Sequence, residues 1–214
     1  SGRFTGSCLG LALALFATVA LADSKSRAAA DQQFSSGLAL MKQGDFRRAT
    51  ENLQTAANFH KSIGQTKNQI EALRQLGAAC TQLGHHKRAL TALTNALFLA
   101  DRLGDRPTRI ATLSSLGVVQ TLLREMDQAE TNLSLALSLT SPDASDAATA
   151  GLRNNLGNLY AIRRLYDTAF EQFRAAARMA LQLQNPLLSG QSLANASLAS
   201  IALGKLKEAE SLNE

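Results

Sequence analysis

Residues 152–160 read Leu152-Arg153-Asn154-Asn155-Leu156-Gly157-Asn158-Leu159-Tyr160, and the glycine inside this stretch recurs at a fixed interval. Steps of 40 from Gly157 reach Gly117, Gly77 and Gly37 on one side and Ser197 on the other. Twelve residues after each of these small positions stands an alanine: Ala49, Ala89, Ala129, Ala169 and Ala209. A fixed period of this length is the mark of stacked supersecondary units, each unable to bury its apolar face alone. A chain built this way is expected to be a binding scaffold and not a catalyst.

The leucines sharpen the phase. Leu73, Leu76, Gly77, Ala89, Leu93 and Ala96 are matched one unit later by Leu113, Leu116, Gly117, Ala129, Leu133 and Ala136, with Gly84 marking the turn between the two helices. Apolar residues at this spacing form one stripe on each of two helices, and a contact poor in β-carbons lets the two backbones approach. Short turns are expected at Gly44-Asp45, Gly84-His85, 124–127, 164–167 and Gly204-Lys205, with Asp45, Asp127 and Asp167 as N-caps. The three prolines, Pro107, Pro142 and Pro186, fall where units join, so none is expected to interrupt a helix.

This pattern resembles the tetratricopeptide repeat, in which a small residue on helix A faces a small residue on helix B. The usual unit is about 34 residues. The longer period, with Phe98-Leu99-Ala100-Asp101-Arg102-Leu103-Gly104-Asp105 and the stretch at 152–160, is similar to the Leu-Gly-Asn subclass found in kinesin light chains, in bacterial peptide-sensing regulators and ahead of caspase-like domains. The resemblance covers residues 30–214. It implies an all-α fold, a right-handed α-solenoid of about five antiparallel helix pairs, with units at 30–69, 70–109, 110–149, 150–189 and an incomplete 190–214.

Arg3 precedes an apolar run from Cys8 to Ala22 that ends in Ala20-Leu21-Ala22, directly before the polar Asp23-Ser24-Lys25-Ser26-Arg27. This order is that of a secretory signal, so residues 1–22 are expected to be removed, residues 23–29 to form a polar linker, and the mature chain to reach the periplasm or the exterior. The run falls short of the ~20 residues of a spanning helix; a membrane anchor at 8–22 is the alternative, and the mature segment is not expected to insert in a membrane. Cys80 alone remains after cleavage, at a position equivalent to Leu40 and Tyr160, and is expected in the core. Ser1 is not an initiator Met and Glu214 falls inside the second helix of unit five, so the sequence is expected to belong to a longer protein.

Little in the chain suggests chemistry. The formal charge is +5, or +4 without Arg3, and the cations are dispersed without stacking aromatics, so nucleic acid is not an expected partner. His60, His85 and His86 have no further ligands at metal-binding spacing, and neither a phosphate loop nor a nucleophile elbow is present. No cofactor, no metal and no catalytic residue is expected.

The resemblance implies that helix A lines a concave groove, with ligand contacts five, six and nine places into a unit. These are Arg74, Gln75, Ser114, Ser115, Asn154, Asn155, Asn158 and Asn195. A ladder of amides can pair with the N–H and C=O groups of an extended peptide, while Asn154 and Asn158 have the alternative of bonding within the helix array. Arg74 could pair with an acidic group, and Phe34, Leu38 and Leu198 offer apolar contact. The carboxylate-clamp pattern of the family is not matched. The expected function is a protein-interaction scaffold that binds a peptide or protein segment. Two alternatives are the sensory domain of a membrane signalling protein and the regulatory front of a caspase-like protease, the missing C-terminal part of the chain being a further candidate occupant.

Overall fold

The computed structural model describes residues 5–141, 146–205 and 209, with the backbone alone for residues 5–23. Every described element is a helix, and the chain divides into two compact units, Ser1–His85 and His86–Glu214. The first unit contains α1 (Thr5–Lys42), α2 (Phe46–Ser62) and α3 (Thr66–Gln82). The second contains α4 (His86–Leu103), α5 (Arg106–Leu122), α6 (Met126–Ser138), α7 (Ala147–Ile162), α8 (Tyr166–Gln182) and α9 (Pro186–Ala202).

The chain turns twice per repeat by one device. Gly44, Gly64, Gly84, Gly104 and Gly204 have positive φ, and so do Arg124 (65°), Arg164 (62°) and Gln184 (53°). At each, two reverse hydrogen bonds close the helix. Asp45 N–H donates to Leu40 C=O at 2.9 Å and Gly44 N–H to Met41 C=O at 3.1 Å, and Leu165 N–H donates to Tyr160 C=O at 2.9 Å in the same way. This is the Schellman closure, which satisfies carbonyls that the helix end would otherwise leave bare. Left-handed backbone costs a residue with a β-carbon about 1–2 kcal/mol. Arg164→Gly is therefore expected to raise stability by about 1 kcal/mol, net of the added freedom of the unfolded chain, as read in a denaturant midpoint.

The residue after the turn caps the next helix. Asp45 Oδ1 accepts from Arg48 N–H at 3.1 Å, Asp105 from Thr108 N–H at 3.2 Å, Asp146 from Thr149 N–H at 2.7 Å and Asn185 from Leu188 N–H at 3.1 Å. The Arg48 backbone N–H and guanidinium hold the Asp45 carboxyl below the usual carboxylate range. Asp127 and Asp167, expected as caps, stand instead in the first turns of α6 and α8; Glu125 and Leu165 occupy the cap positions and make no side-chain cap bond. Pro107 and Pro186 likewise sit inside the first turns of α5 and α9, where a missing N–H is harmless. Pro142 lies outside the described residues, and residues 23–29 continue α1.

Within each unit consecutive helices pack on one another, and the short turns make them antiparallel. The alanines Ala49, Ala129 and Ala169 are fully buried, and Ser197 Oγ donates to Ala209 C=O at 3.3 Å, so small residues do meet across the helix pair. A β-carbon added at the repeat glycine would strike the side chain sixteen residues on: Leu53 for Gly37, Leu133 for Gly117 and Phe173 for Gly157. Leu113, Ala129, Leu133, Leu152, Leu156 and Leu159 join into one core, continued by Ala169, Phe170, Phe173, Ala196 and Ala199. Each fully buried leucine of this kind contributes about 1.5–3 kcal/mol of apolar burial. Cys80 is buried as expected.

The α6–α7 connection departs from the rule, because α6 stops at Ser138 and α7 starts only at Ala147. Side chains bridge the pair instead. Arg163 of α7's cap pairs with Asp127 and Glu130 of α6, and the Tyr160 hydroxyl donates to Glu130 at 2.9 Å. Burial and the Glu130 carboxylate push the Tyr160 phenol above its ordinary pKa.

Candidate functional site

In the second unit α5, α7 and α9 lie side by side, each the first helix of its repeat. Their shared face carries a cavity of about 520 Å³. Val118, Thr121 and Leu122 come from α5, Asn155, Asn158, Ala161 and Ile162 from α7, and Asn195, Leu198 and Ala199 from α9. Tyr166 and the ring of Phe173, both on α8, complete the wall. The lining repeats with the sequence: 155 and 195 are one position of the unit, 118, 158 and 198 another, 121 and 161 a third, 122 and 162 a fourth. Four successive inward positions of a helix, i, i+3, i+6 and i+7, thus build the cavity.

Its walls are apolar and partly open to solvent. Leu122, Ile162 and Leu198 are 47%, 42% and 65% exposed, so three large aliphatic side chains of the wall face solvent. The polar content is concentrated in three amides. Asn155 Nδ2 donates to Ser114 Oγ at 3.2 Å, which ties α7 to α5. Asn195 Nδ2 donates to Asn154 Oδ1 at 3.3 Å and to Asn158 Oδ1 at 3.4 Å, which ties α9 to α7.

The expected contact residues therefore divide. Asn155, Asn158 and Asn195 line the cavity. Asn154 is only 4% exposed and lies behind them, its Oδ1 accepting from Ser192 at 3.3 Å as well as from Asn195. Ser114 orients Asn155, while Ser115 Oγ donates to Ala111 C=O of its own helix at 3.1 Å. Arg74 and Gln75 belong to the first unit and are both committed to Glu71, at 2.5 Å and 2.7 Å. The apolar wall at 118, 121, 122, 161, 162 and 166 was not among the expected contacts. Val118 already stands at the ninth place of its unit, and carrying the phase one helical turn further along α5 and α7 would have reached 121, 122, 161 and 162; Tyr166 belongs to α8.

Among the described residues no three His, Cys, Asp or Glu side chains are grouped to hold a metal ion, and no helix is long and apolar enough to cross a membrane.

Comparison with solved structures decides the fold. BtubC (BKLC) from P. vanneervenii superposes with a TM-score of 0.75 at 20% identity, over 92% of this chain and 85% of that one. The nearly identical TPR-like repeats of a putative kinesin light chain from Podospora anserina give 0.72 at 15% identity, over 88% and 92%. The fold is tetratricopeptide-like. A Rap conjugation gene regulator of the plasmid pLS20, in complex with the Phr* peptide, gives 0.71 at 18% identity over 84% of this chain, which spans half of that regulator. No family model matches the sequence, and no curated protein matches it. The tetratricopeptide-like array is thus recognised by its helix geometry, with the cavity on α5, α7 and α9 and closed by α8.

Proposed function

We propose that this tetratricopeptide-like chain is a protein-interaction module that binds a segment of peptide in the α5–α7–α9 cavity. The observation that carries the reading is the cavity itself: exposed Leu122, Ile162 and Leu198 surround three asparagines whose amides already link neighbouring helices. Leaving such aliphatic surface in water is costly, at about 25 cal/mol per Å². A bound peptide would cover it, and the amides supply the donors and acceptors that a peptide backbone needs. A solved tetratricopeptide-like neighbour in complex with a peptide lends the reading support from a different chain.

The test is selection from a displayed random-peptide library on the purified chain, followed by titration of the selected peptides against Leu198→Asp. This substitution places a charge on a 65% exposed position and should leave the thermal transition within about 0.5 kcal/mol. Binding weakened at least tenfold is the expected result. Selected peptides that bind Leu198→Asp as tightly as the unaltered chain would remove the cavity from the function.

Export is part of the proposal and rests on the sequence from Arg3 to Arg27. Cleavage after Ala22 would leave the buried part of α1, from Ala30 onward, in place against α2. Terminal sequencing of the protein from its native cells should then begin at Asp23; a chain retaining residues 8–22 would overturn export by this route.

A further inference from the structure

The cavity's polar groups are not free to present any face to a ligand. Asn155 gives one of its two amino hydrogens to Ser114, and its Oδ1 has no protein partner among the described residues. Asn195 spends its amino group on Asn154 and Asn158, which leaves the Asn195 Oδ1 and the Asn158 Nδ2. Two carbonyl oxygens, the Asn158 amino group and the second N–H of Asn155 therefore remain for whatever enters. The rest of the lining is apolar but for the Tyr166 hydroxyl and the Thr121 hydroxyl, and the latter already donates to Gly117 C=O at 2.8 Å.

Among the described residues no Lys, Arg or His lines the cavity. Arg163, at the end of α7, is held by Asp127 and Glu130 on the α6 side, and Arg153 donates to Gln172 at 3.3 Å. A carboxylate brought here would lose its water, meet two carbonyl oxygens and find no positive charge to replace its hydration. An uncharged backbone amide, with N–H groups for the oxygens and a C=O for the Asn158 amino group, meets no such opposition.

We infer that the cavity selects an internal, uncharged stretch of peptide bearing an aliphatic or aromatic side chain and rejects a free C-terminal carboxylate. This rests on the peptide-binding reading of the same cavity and adds the chemistry of what is admitted. The selection is by exclusion, since a desolvated anion without a partner is disfavoured wherever along the helix it enters.

Two probes of nearly equal size isolate the inference: N-acetyl-leucine methylamide and N-acetyl-leucine, the second a carboxylate at pH 7. Each is titrated into the full chain, and the side-chain NH₂ resonances of Asn155, Asn158 and Asn195 are followed, assigned through single Asn→Ala variants. The methylamide should move these resonances with an apparent Kd at least tenfold below that of the acid. Leu122→Arg, at a half-exposed wall position, should reverse the order by supplying the missing cation. Equal affinities, or a tighter acid in the unaltered chain, would overturn the inference while leaving peptide binding standing. Resonances that move with neither probe would overturn it too, and the library selection then decides the broader reading independently.

Discussion

Gly157→Leu is expected to unfold the second unit, with a loss of more than about 3 kcal/mol and collapse of its cooperative thermal transition. A β-carbon at residue 157 would stand 2.5 Å from Phe173 Cε1 and 2.6 Å from its Cδ1, well inside van der Waals contact. Phe173 can step aside only toward the cavity it borders, because it is 2% exposed and packed among Ala169, Ala196 and Ala199. Inserting methylenes into a filled core costs about 1–3 kcal/mol even where the neighbours yield, and here four carbons enter a seam with no room for one. Gly151 lies on the same helix with nothing within 4 Å of its would-be β-carbon. Gly151→Ala should therefore stabilise by about 0.5–1 kcal/mol through helix propensity alone. Opposite signs for the two variants in chemical denaturation would show that position 157 is set by the helix seam. Equal, small effects would mean that α7 and α8 pack with slack that Phe173 can use.

That pair of glycines also shows what the sequence could and could not disclose. The repeat period identified Gly157 as a seam residue, because only a position held by the fold recurs with its alanine twelve places on. Nothing in the pattern indicated that the residue it would strike is the large one sixteen places on. That follows from the tilt of β-carbons toward the helix N-terminus once the two helices are antiparallel. The turns divide in the same way. Gly44, Gly84 and Gly204 announced themselves and the repeat phase extended the turns to 124–127 and 164–167, whereas the identical left-handed turn at Gln184 carries an ordinary side chain and gave no signal. Its geometry is imposed by the flanking helices. Asp127 and Asp167 were read as caps because they are acidic and near a helix start, but capping depends on a single-residue register, and that register belongs to Glu125 and Leu165. In the cavity the amides and Leu198 follow from the tetratricopeptide resemblance. The rest of its apolar wall does not, since leucine and isoleucine at helical spacing read as core until burial shows which of them face water.

The neighbours Asn154 and Asn158 should separate stability from binding more sharply than any other pair. They stand one helical turn apart on α7, and both accept from Asn195 Nδ2. Asn154 is buried, and its Oδ1 also accepts from Ser192, which is fully buried. Asn154→Ala strips the partner from the Ser192 hydroxyl and one of two from Asn195, and a buried polar group left unpaired costs about 1–3 kcal/mol. The cavity left by the lost carboxamide adds to this, so a loss of about 2–4 kcal/mol is expected in the denaturant midpoint. Asn195 would also lose its fixed orientation, so peptide binding should fall with stability. Asn158 is half-buried and its amino group has no protein partner among the described residues, so water can replace what Asn158→Ala removes from Asn195. Its transition should move by less than about 1 kcal/mol, while affinity for a selected peptide drops at least tenfold through loss of the one asparagine amino group of the described lining with both N–H groups left for a ligand. If the two variants lost stability equally, the asparagine row would be a device for holding α7 to α9, and the apolar wall alone would remain to recognise a partner. If Asn154→Ala were neutral, the buried amide would be dispensable to the helix seam, and its place behind the cavity would have to be read as part of the ligand contact.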